Sequence, residues 1–536
     1  MPSLETSRNL SVAMLLTSLG NLISRLSGLL RDLAFAASFG TGAVANAFFW
    51  AFTLPNLFRN ILGEGALTAA FIPLFSQVEK EGESAARSFA SMVCTLLALV
   101  TSALTLLCAA ALLIASLLLP ESWLLQTRMA ALMMVFMPFV CLSAFVAALL
   151  NIRKAYGLAA VSSSLLNLLV AAACLLGPLL NPHKEMQIWL LPAAVVLSGS
   201  LQLWLLLRAL QKNGLVLEWA PKFDQEKLRN LWILFVPALI GSSCTQLSLF
   251  IDRNIAVVMD GWKWTDAQGQ AVGALAAINY AERLVYLPVG IFGVSLAVAC
   301  LPIMSKAVAE EKPGEVGEAL DFGLRQSLFL SLPFACLFFV WGQDIVSLVY
   351  QRGAFTQQSV SDTWLALKYF VIGIPIFTAV KVVLQLFYSH KDTRTPVRIS
   401  LGCLLINLIA CVALLVFAPG LKWASLPLAT VISSSFNLVL LLIYAAQRHQ
   451  HRPSLSCALA LARIAACCLL ATLAAKFAVE ALDATWSRIA SNFLRNACRL
   501  SFICLVAGGL YLALLRLCGG REASQLIATL RRRRTK

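Results

Sequence analysis

Long apolar runs, each closed by a short polar stretch, set the pattern of this chain. They fall at about residues 10–39, 43–76, 88–119, 128–150, 158–180, 187–209, 229–259, 273–304, 322–350, 363–388, 396–418, 423–446, 457–480 and 498–518. A helix needs roughly 20 apolar residues to cross the hydrocarbon core of a bilayer. Each run therefore predicts a membrane-spanning helix, about fourteen in all. Several runs are longer than the core requires and are expected to tilt, kink or protrude. Ten-residue stretches of alternating polarity, the signature of a membrane barrel, are not found. Of the 536 residues, 60% are hydrophobic and 13% charged, against about 25% charged in a soluble domain. The expected fold class is an all-α polytopic membrane protein.

The formal net charge of +16 would suggest nucleic acid in a soluble chain, but its placement gives another reading. With the N-terminus taken as cytoplasmic, the inside loops hold roughly three times as many Lys and Arg as the outside loops. An even span count also keeps the Arg531 to Arg534 run on the inside. The basic surplus is thus a topology signal and requires no nucleic-acid partner. The first apolar run passes into Arg25 and Arg31 without a small-residue cleavage site, so no cleavable signal peptide is expected. The fifteen cysteines lie mostly in apolar runs and form no CxxC, which reads as small buried residues. His449 and His451 flank a Gln in a basic loop and read as solvated.

Three pairs of segments repeat in order. "LPAAVVLSGSLQLWLLL" from Leu191 aligns with "LPLATVISSSFNLVLLL" from Leu426, and "MPFVCLSAFVAALLNIRKAYG" with "IPIFTAVKVVLQLFYSHKDTR". "FIPLFSQVEKEGE" aligns with "CLPIMSKAVAEEK", so that Pro73 meets Pro302 and Ser76 meets Ser305. Spans 1–6 and 7–12 therefore read as two copies of one six-helix unit, with spans 13 and 14 appended. Because six is even, both copies insert the same way round, about a pseudo-two-fold axis along the membrane normal. The predicted organisation is an N-terminal lobe 1–210, a cytoplasmic linker 211–228, a C-terminal lobe 229–450, a two-helix segment 451–520 and a basic cytoplasmic tail 521–536.

Some basic residues fall inside the spans. Arg463, Lys476 and Arg499 lie near enough to span ends to snorkel to the interface. Arg25 and Arg31 in span 1, Arg59 in span 2 and Arg283 in span 8 do not. A central Arg costs on the order of 3 kcal/mol on insertion scales. Neighbouring acids offer local pairing: Arg31 with Asp32, Arg59 with Glu64, Arg253 with Asp252, Arg283 with Glu282. Adjacent helical residues diverge by about 100° and face each other poorly, so incomplete cancellation and a hydrated cationic cavity are expected. Guanidinium groups stay charged and grip phosphate through a bidentate fork, which suits a diphosphate. Gly28 in span 1, and Gly63 and Glu64 in span 2, mark bend positions that are candidate gating sites.

The segments "SRLSGLLRD", "ANAFFWAFTLPNLFRNILGEGALTAAFIPLFS", "YAERLVYLPVGIFGVSLAVACLPIMS", "YQRGAFT" and "FYSHKDTRTPV" resemble the MurJ (MviN) family of lipid II flippases. That family belongs to the multidrug/oligosaccharidyl-lipid/polysaccharide exporter superfamily. The resemblance implies fourteen helices in two lobes, with a groove at the last two helices, 451–520, for the undecaprenyl tail. It places the substrate-binding set at Arg25, Arg31, Asp32, Arg59 and Arg283, with Glu282 in place of a more usual Asp. Asn46 stands where the family often has Asp, and Thr53 where some members have Lys. The resemblance also implies a candidate sodium site at Asp252, Asn407 and Thr430, although Cys411 stands where an acidic ligand would be expected.

The function expected is transfer of lipid II from the cytoplasmic to the outer leaflet by alternating access, in the bacterial inner membrane, with both termini cytoplasmic. The partners expected are lipid II, membrane lipids and cell-wall synthesis proteins. No cofactor other than the candidate sodium ion is expected. No Walker motif supplies nucleotide chemistry, so energy must come from gradients or the membrane potential. Two alternatives stand beside this reading. One is an exporter of the same superfamily for another polyprenyl-diphosphate-linked glycan or for drugs. The other is a membrane-embedded glycosyltransferase or phosphatase, against which the lack of paired acids or an interfacial His nucleophile argues.

Overall fold

The computed structural model describes residues 4–153, 155–180, 184–220, 223–260, 273–482, 486, 492–520 and 522. No strand occurs among them. The helices of the first half are α1 (Leu4–Phe39), α2 (Ala43–Phe58), α3 (Ala66–Val78), α4 (Glu83–Leu118), α5 (Leu124–Met134), α6 (Phe136–Ile152), α7 (Tyr156–Ser162), α8 (Ser164–Leu180), α9 (Lys184–Lys212) and α10 (Gln225–Asp260). Those of the second half are α11 (Ala274–Pro288), α12 (Val294–Ala309), α13 (Pro313–Tyr350), α14 (Gln357–Phe370), α15 (Gly373–Ser389), α16 (Arg394–Phe417), α17 (Ser425–Arg448), α18 (Leu455–Ala481) and α19 (Asn492–Leu517). Every one of the predicted spans coincides with one of these helices or with two in succession. By length and apolarity, eight helical segments among the described residues can cross a membrane, or ten if each bent pair is one span.

The internal repeat reappears in backbone irregularities that the sequence comparison did not use. A π-helical segment, Arg59–Gly65, joins α2 to α3, and another, Val289–Gly293, joins α11 to α12. The Pro73/Pro302 alignment has an offset of about 229 residues, which carries 59–65 onto 288–294. The bends repeat as well. Helices α5 and α6 meet at 41°, and α14 and α15 at 44°. The alignment of Met137 with Ile374 brings those two breaks into register. Pro138 and Pro375 sit just past the breaks; proline forces the chain to give up helical hydrogen bonds there.

The chain divides into two compact units, Met1–Ala276 with Arg352–Phe355, and Ala277–Gln351 with Thr356–Lys536. The core of the first unit is a cluster of aromatic rings. Phe71 of α3 packs edge-on to Phe145 of α6 at 4.8 Å and stacks on Phe89 of α4 at 5.5 Å. All three are buried. Between membrane helices such packing and interhelical polar contacts, rather than expulsion of water, supply the attraction. The linker runs extended along α4 in this unit, where the backbone N–H groups of Glu218 and Ala220 donate to the hydroxyls of Ser91 and Thr95.

In the second unit, one core gathers Leu320, Val383, Leu386, Phe387, Leu441 and Cys457 from α13, α15, α17 and α18. Another joins α13 to the last two helices, with Phe329, Ile464, Cys468 and Tyr511 at its centre. The Tyr511 hydroxyl donates to the carbonyl of Phe329 at 3.1 Å. Beside this seam lies a cavity of about 220 Å³ lined by Pro333, Phe334, Trp341, Thr472, Gly508 and Tyr511 among others.

One sequence reading is corrected here. His449 and His451 are not solvated: His451 is buried, as is the His449 side chain, and both rings lie against His390, with centroids at 4.2 and 5.7 Å. The short loops after α15 and α17 fold onto one another, which the linear sequence does not reveal. The three snorkelling candidates also have acidic neighbours. Arg463 pairs with buried Glu522 at 2.7 Å, Arg499 with Asp344 at 3.7 Å and Lys476 with Glu480 at 3.9 Å.

Candidate functional site

Within the first unit, α1 carries two of the predicted cations. The face between them is fixed against α8. The Asn167 amide donates to the Ser24 carbonyl at 3.2 Å and the Ser27 hydroxyl at 3.1 Å, while the Ser24 and Ser163 hydroxyls lie 3.0 Å apart. Gly28 sits over the same amide; a β-carbon there would be 3.6 Å from its nitrogen, an ordinary contact. Arg25 is exposed. Arg31 donates from both Nε, at 3.0 Å, and Nη2, at 2.7 Å, to a single oxygen of Asp32. Their side chains are only 12% and 6% exposed. The expectation that adjacent residues pair poorly is corrected here. The arginine stem is long enough to fold back along the helix, so the diverging Cβ directions do not prevent the contact.

Arg59 opens the π segment and donates from Nε to Asn56 Oδ1 at 2.9 Å. A π turn holds an extra residue and leaves carbonyls out of register, a feature frequent at functional sites. The Thr68 hydroxyl takes up one of them, Gly63 O, at 3.0 Å. Gly63 is buried against α6, where a β-carbon would come within 3.1 Å of Ala144 Cβ and 3.4 Å of Cys141 Cα. This glycine is therefore a point of close helix approach. The side chain of Glu64, the other gating candidate, lies outside the described residues.

A polar seam joins α2 and the π segment to α10. Trp50 Nε1 donates to Asn254 Oδ1 at 3.2 Å, Arg253 Nη1 to Thr53 Oγ1 at 2.9 Å, and Asn60 Nδ2 to Gln246 Oε1 at 2.9 Å. Sequence reasoning assigned no partner across this seam. The signal was present as spacing: Asn46, Thr53 and Asn60 recur every seven residues, as do Gln246 and Arg253, the interval at which residues return to one helix face. Asn46 is buried, and its Oδ1 accepts from the Ala276 backbone N–H at 3.0 Å. At this position the neutral amide serves as a structural acceptor.

In the second unit, Arg283 is exposed on α11 and Glu282 beside it is half-buried, just ahead of the second π segment. Of the sodium candidates, Asn407 is buried on α16, and the Thr430 hydroxyl on α17 donates to its own helix at Leu426 O, 3.1 Å. Asp252 is half-buried on α10 and belongs to the first unit. Cys411, which the resemblance puts at the position of an acidic ligand, is buried; a hard cation selects oxygen over sulfur. A thiol at that position suits sodium poorly. No group of three or more His, Cys, Asp or Glu suited to a metal occurs among the described residues.

Repeat-related bends and apolar spans define a polytopic helical membrane protein. The fold agrees. A solved structure described as lipid II flippase MurJ in an inward closed conformation superimposes with a TM-score of 0.75, covering 94% of this chain and 99% of that one at 22% identity. An inward-facing multidrug resistance MATE transporter of the MOP superfamily gives 0.63, with 82% and 98% covered at 13% identity. The sequence profile of the family described as Lipid II flippase MurJ matches residues 35–495, and the chain belongs to that family. Among its relatives, the probable lipid II flippase MurJ of Rhizobium tropici is 29% identical over 527 residues, 95% of each chain. The lipid II flippase MurJ of Burkholderia cenocepacia is 29% identical over 467 residues, 83% of this chain and 86% of that one.

Proposed function

We propose that this protein moves lipid II from the cytoplasmic to the outer leaflet of the inner membrane by alternating access of its lobes, 1–210 and 229–450, with both termini cytoplasmic. The observation that carries this reading is the family match over residues 35–495. Arg25, Arg31, Arg59 and Arg283 grip the diphosphate, while Asp32 and Glu282 orient the guanidinium groups beside them. The polyprenyl tail stays in the hydrocarbon and rests on 451–520, where the apolar cavity beside Trp341 and Tyr511 supports the assignment. The irregular segments at Gly63 and Glu64, and the packed face at Gly28, supply the gating positions.

A diphosphate diester carries two negative charges. Expelling them from a negative cell interior is favoured by about 2.3 kcal/mol per charge per 100 mV. The arginines lower the cost of carrying that charge through low dielectric, and the membrane potential gives direction. Purified protein in vesicles is expected to move fluorescent lipid II between leaflets. In flippase-depleted cells, Arg25→Ala, Arg31→Ala, Arg59→Ala and Arg283→Ala should each fail to restore growth. Full rescue by all four, at normal expression, would overturn the assignment of the site.

A further inference from the structure

Arg253 was no part of the substrate-binding set read from the sequence, yet its position resembles that of Arg59. Both residues are half-buried, and both guanidinium groups bond to side chains of α2. Arg253 donates to Thr53 Oγ1 at 2.9 Å, and Arg59 to Asn56 Oδ1 at 2.9 Å. Thr53 and Asn56 are three residues apart, a rise of about 4.5 Å along a helix. Thr53 is buried, and its own hydroxyl proton goes to Phe49 O at 2.7 Å. Its oxygen is therefore committed as an acceptor, and the guanidinium is aimed by it. The flanking bonds, Trp50 to Asn254 and Asn60 to Gln246, brace both helices on either side. The acceptors on α2 thus hold one guanidinium from α10 and one from the π segment within about one helical turn of each other. A doubly charged anion seated there would bond to both.

We infer that Arg253 is a further substrate-binding residue, forming with Arg59 a two-guanidinium clamp on α2 for the diphosphate of the polyprenyl-linked substrate. The inference rests on the flippase reading. It adds a cation from α10, and it assigns Thr53 the role of positioning that cation.

The test compares binding of lipid II with binding of undecaprenol, which has the tail and lacks the diphosphate, to the purified full chain by native mass spectrometry. Arg253→Gln is expected to weaken lipid II binding about 10-fold, the scale of one charge-assisted hydrogen-bonding group, and to leave undecaprenol unchanged. Arg253→Lys should fall between Gln and wild type. Thr53→Lys in the Arg253→Gln background should recover much of the loss, because it returns a cation to the place where the guanidinium sat. If Arg253→Gln fails to fold, Thr53→Val removes the aim and keeps the charge, and should weaken lipid II binding selectively. Wild-type lipid II binding in these variants, equal loss of both ligands, or no recovery with Thr53→Lys would each overturn the clamp. Failure of the flippase reading would look different: wild type would show no preference for lipid II over undecaprenol, and Arg59→Gln would be silent.

Discussion

Arg31 and Asp32, neighbours in the chain, bond to each other inside the first unit, with two guanidinium nitrogens on one carboxylate oxygen. Breaking a well-buried ion pair from one side costs about 3–5 kcal/mol, because the remaining charge is left without its partner. The incomplete burial of Arg31 lowers that figure here. Arg31→Gln should therefore lower the melting temperature more than the double variant Arg31→Gln/Asp32→Asn. Lipid II transfer should be lost in both, since both lack the guanidinium. Transfer retained by the double variant would make the pair purely structural.

Gly63 is a site of close approach between the first π segment and α6. Gly63→Val adds two methyl groups where the first added carbon already comes within 3.1 Å of Ala144. The expected destabilisation is about 1–3 kcal/mol, the range for overpacking. It should be relieved by Ala144→Gly. Thermal unfolding in detergent by intrinsic fluorescence measures both; an unchanged midpoint in Gly63→Val would show that the segments separate easily.

Gly508 lines the cavity at the last two helices, and a β-carbon there meets no atom within 4 Å. Gly508→Leu should fold normally and fill the space. If the cavity holds the tail, this variant weakens binding of lipid II with a full-length prenyl chain several-fold and spares an analogue with a short chain. Equal effects on the two would place the tail elsewhere.

The histidine cluster after α15 and α17 gives a pH dependence of defined sign. Burial, and then the nearby His390, hold His449 and His451 below the usual histidine range. For His449, Arg448 acts in the same direction and Asp392 opposes it. Burial would raise Asp392, but bonds from the Thr395 side chain and backbone, with Arg448 and His449, hold it below the usual carboxylate range. All three groups bind protons less readily in the folded state. The histidine contribution to stability is therefore complete above pH 6.5, the usual histidine value, and is lost as the pH falls below it. Asp392 follows only below its ordinary 3.8. The melting temperature should drop by a few degrees between pH 7 and 5, and the double variant His449→Asn/His451→Asn should flatten that slope. An identical slope in the double variant would refute the assignment.

The spans were legible because apolar run length is a one-dimensional property, and each predicted run is helical. The interior arginines were legible for the same reason, since a charge within an apolar run stands out. Contacts between elements were not. The alliance of Thr53 with Arg253 joins residues 200 positions apart, and their sevenfold spacing shows its meaning only once α2 and α10 are known to touch. The Arg31–Asp32 bond was missed because helical angles describe Cβ directions, whereas long side chains reach around them. The π segment was read as a bend at Gly63 and Glu64; one extra residue in a turn leaves no compositional mark.

The matched π segments bear on history. An inserted residue at the same alignment position in both halves, at Arg59–Gly65 and Val289–Gly293, is most simply inherited from a single ancestral half that carried it before gene duplication. Each half has since changed most of its side chains. The irregular turn is common to both halves although none of the side chains aligned within it is the same.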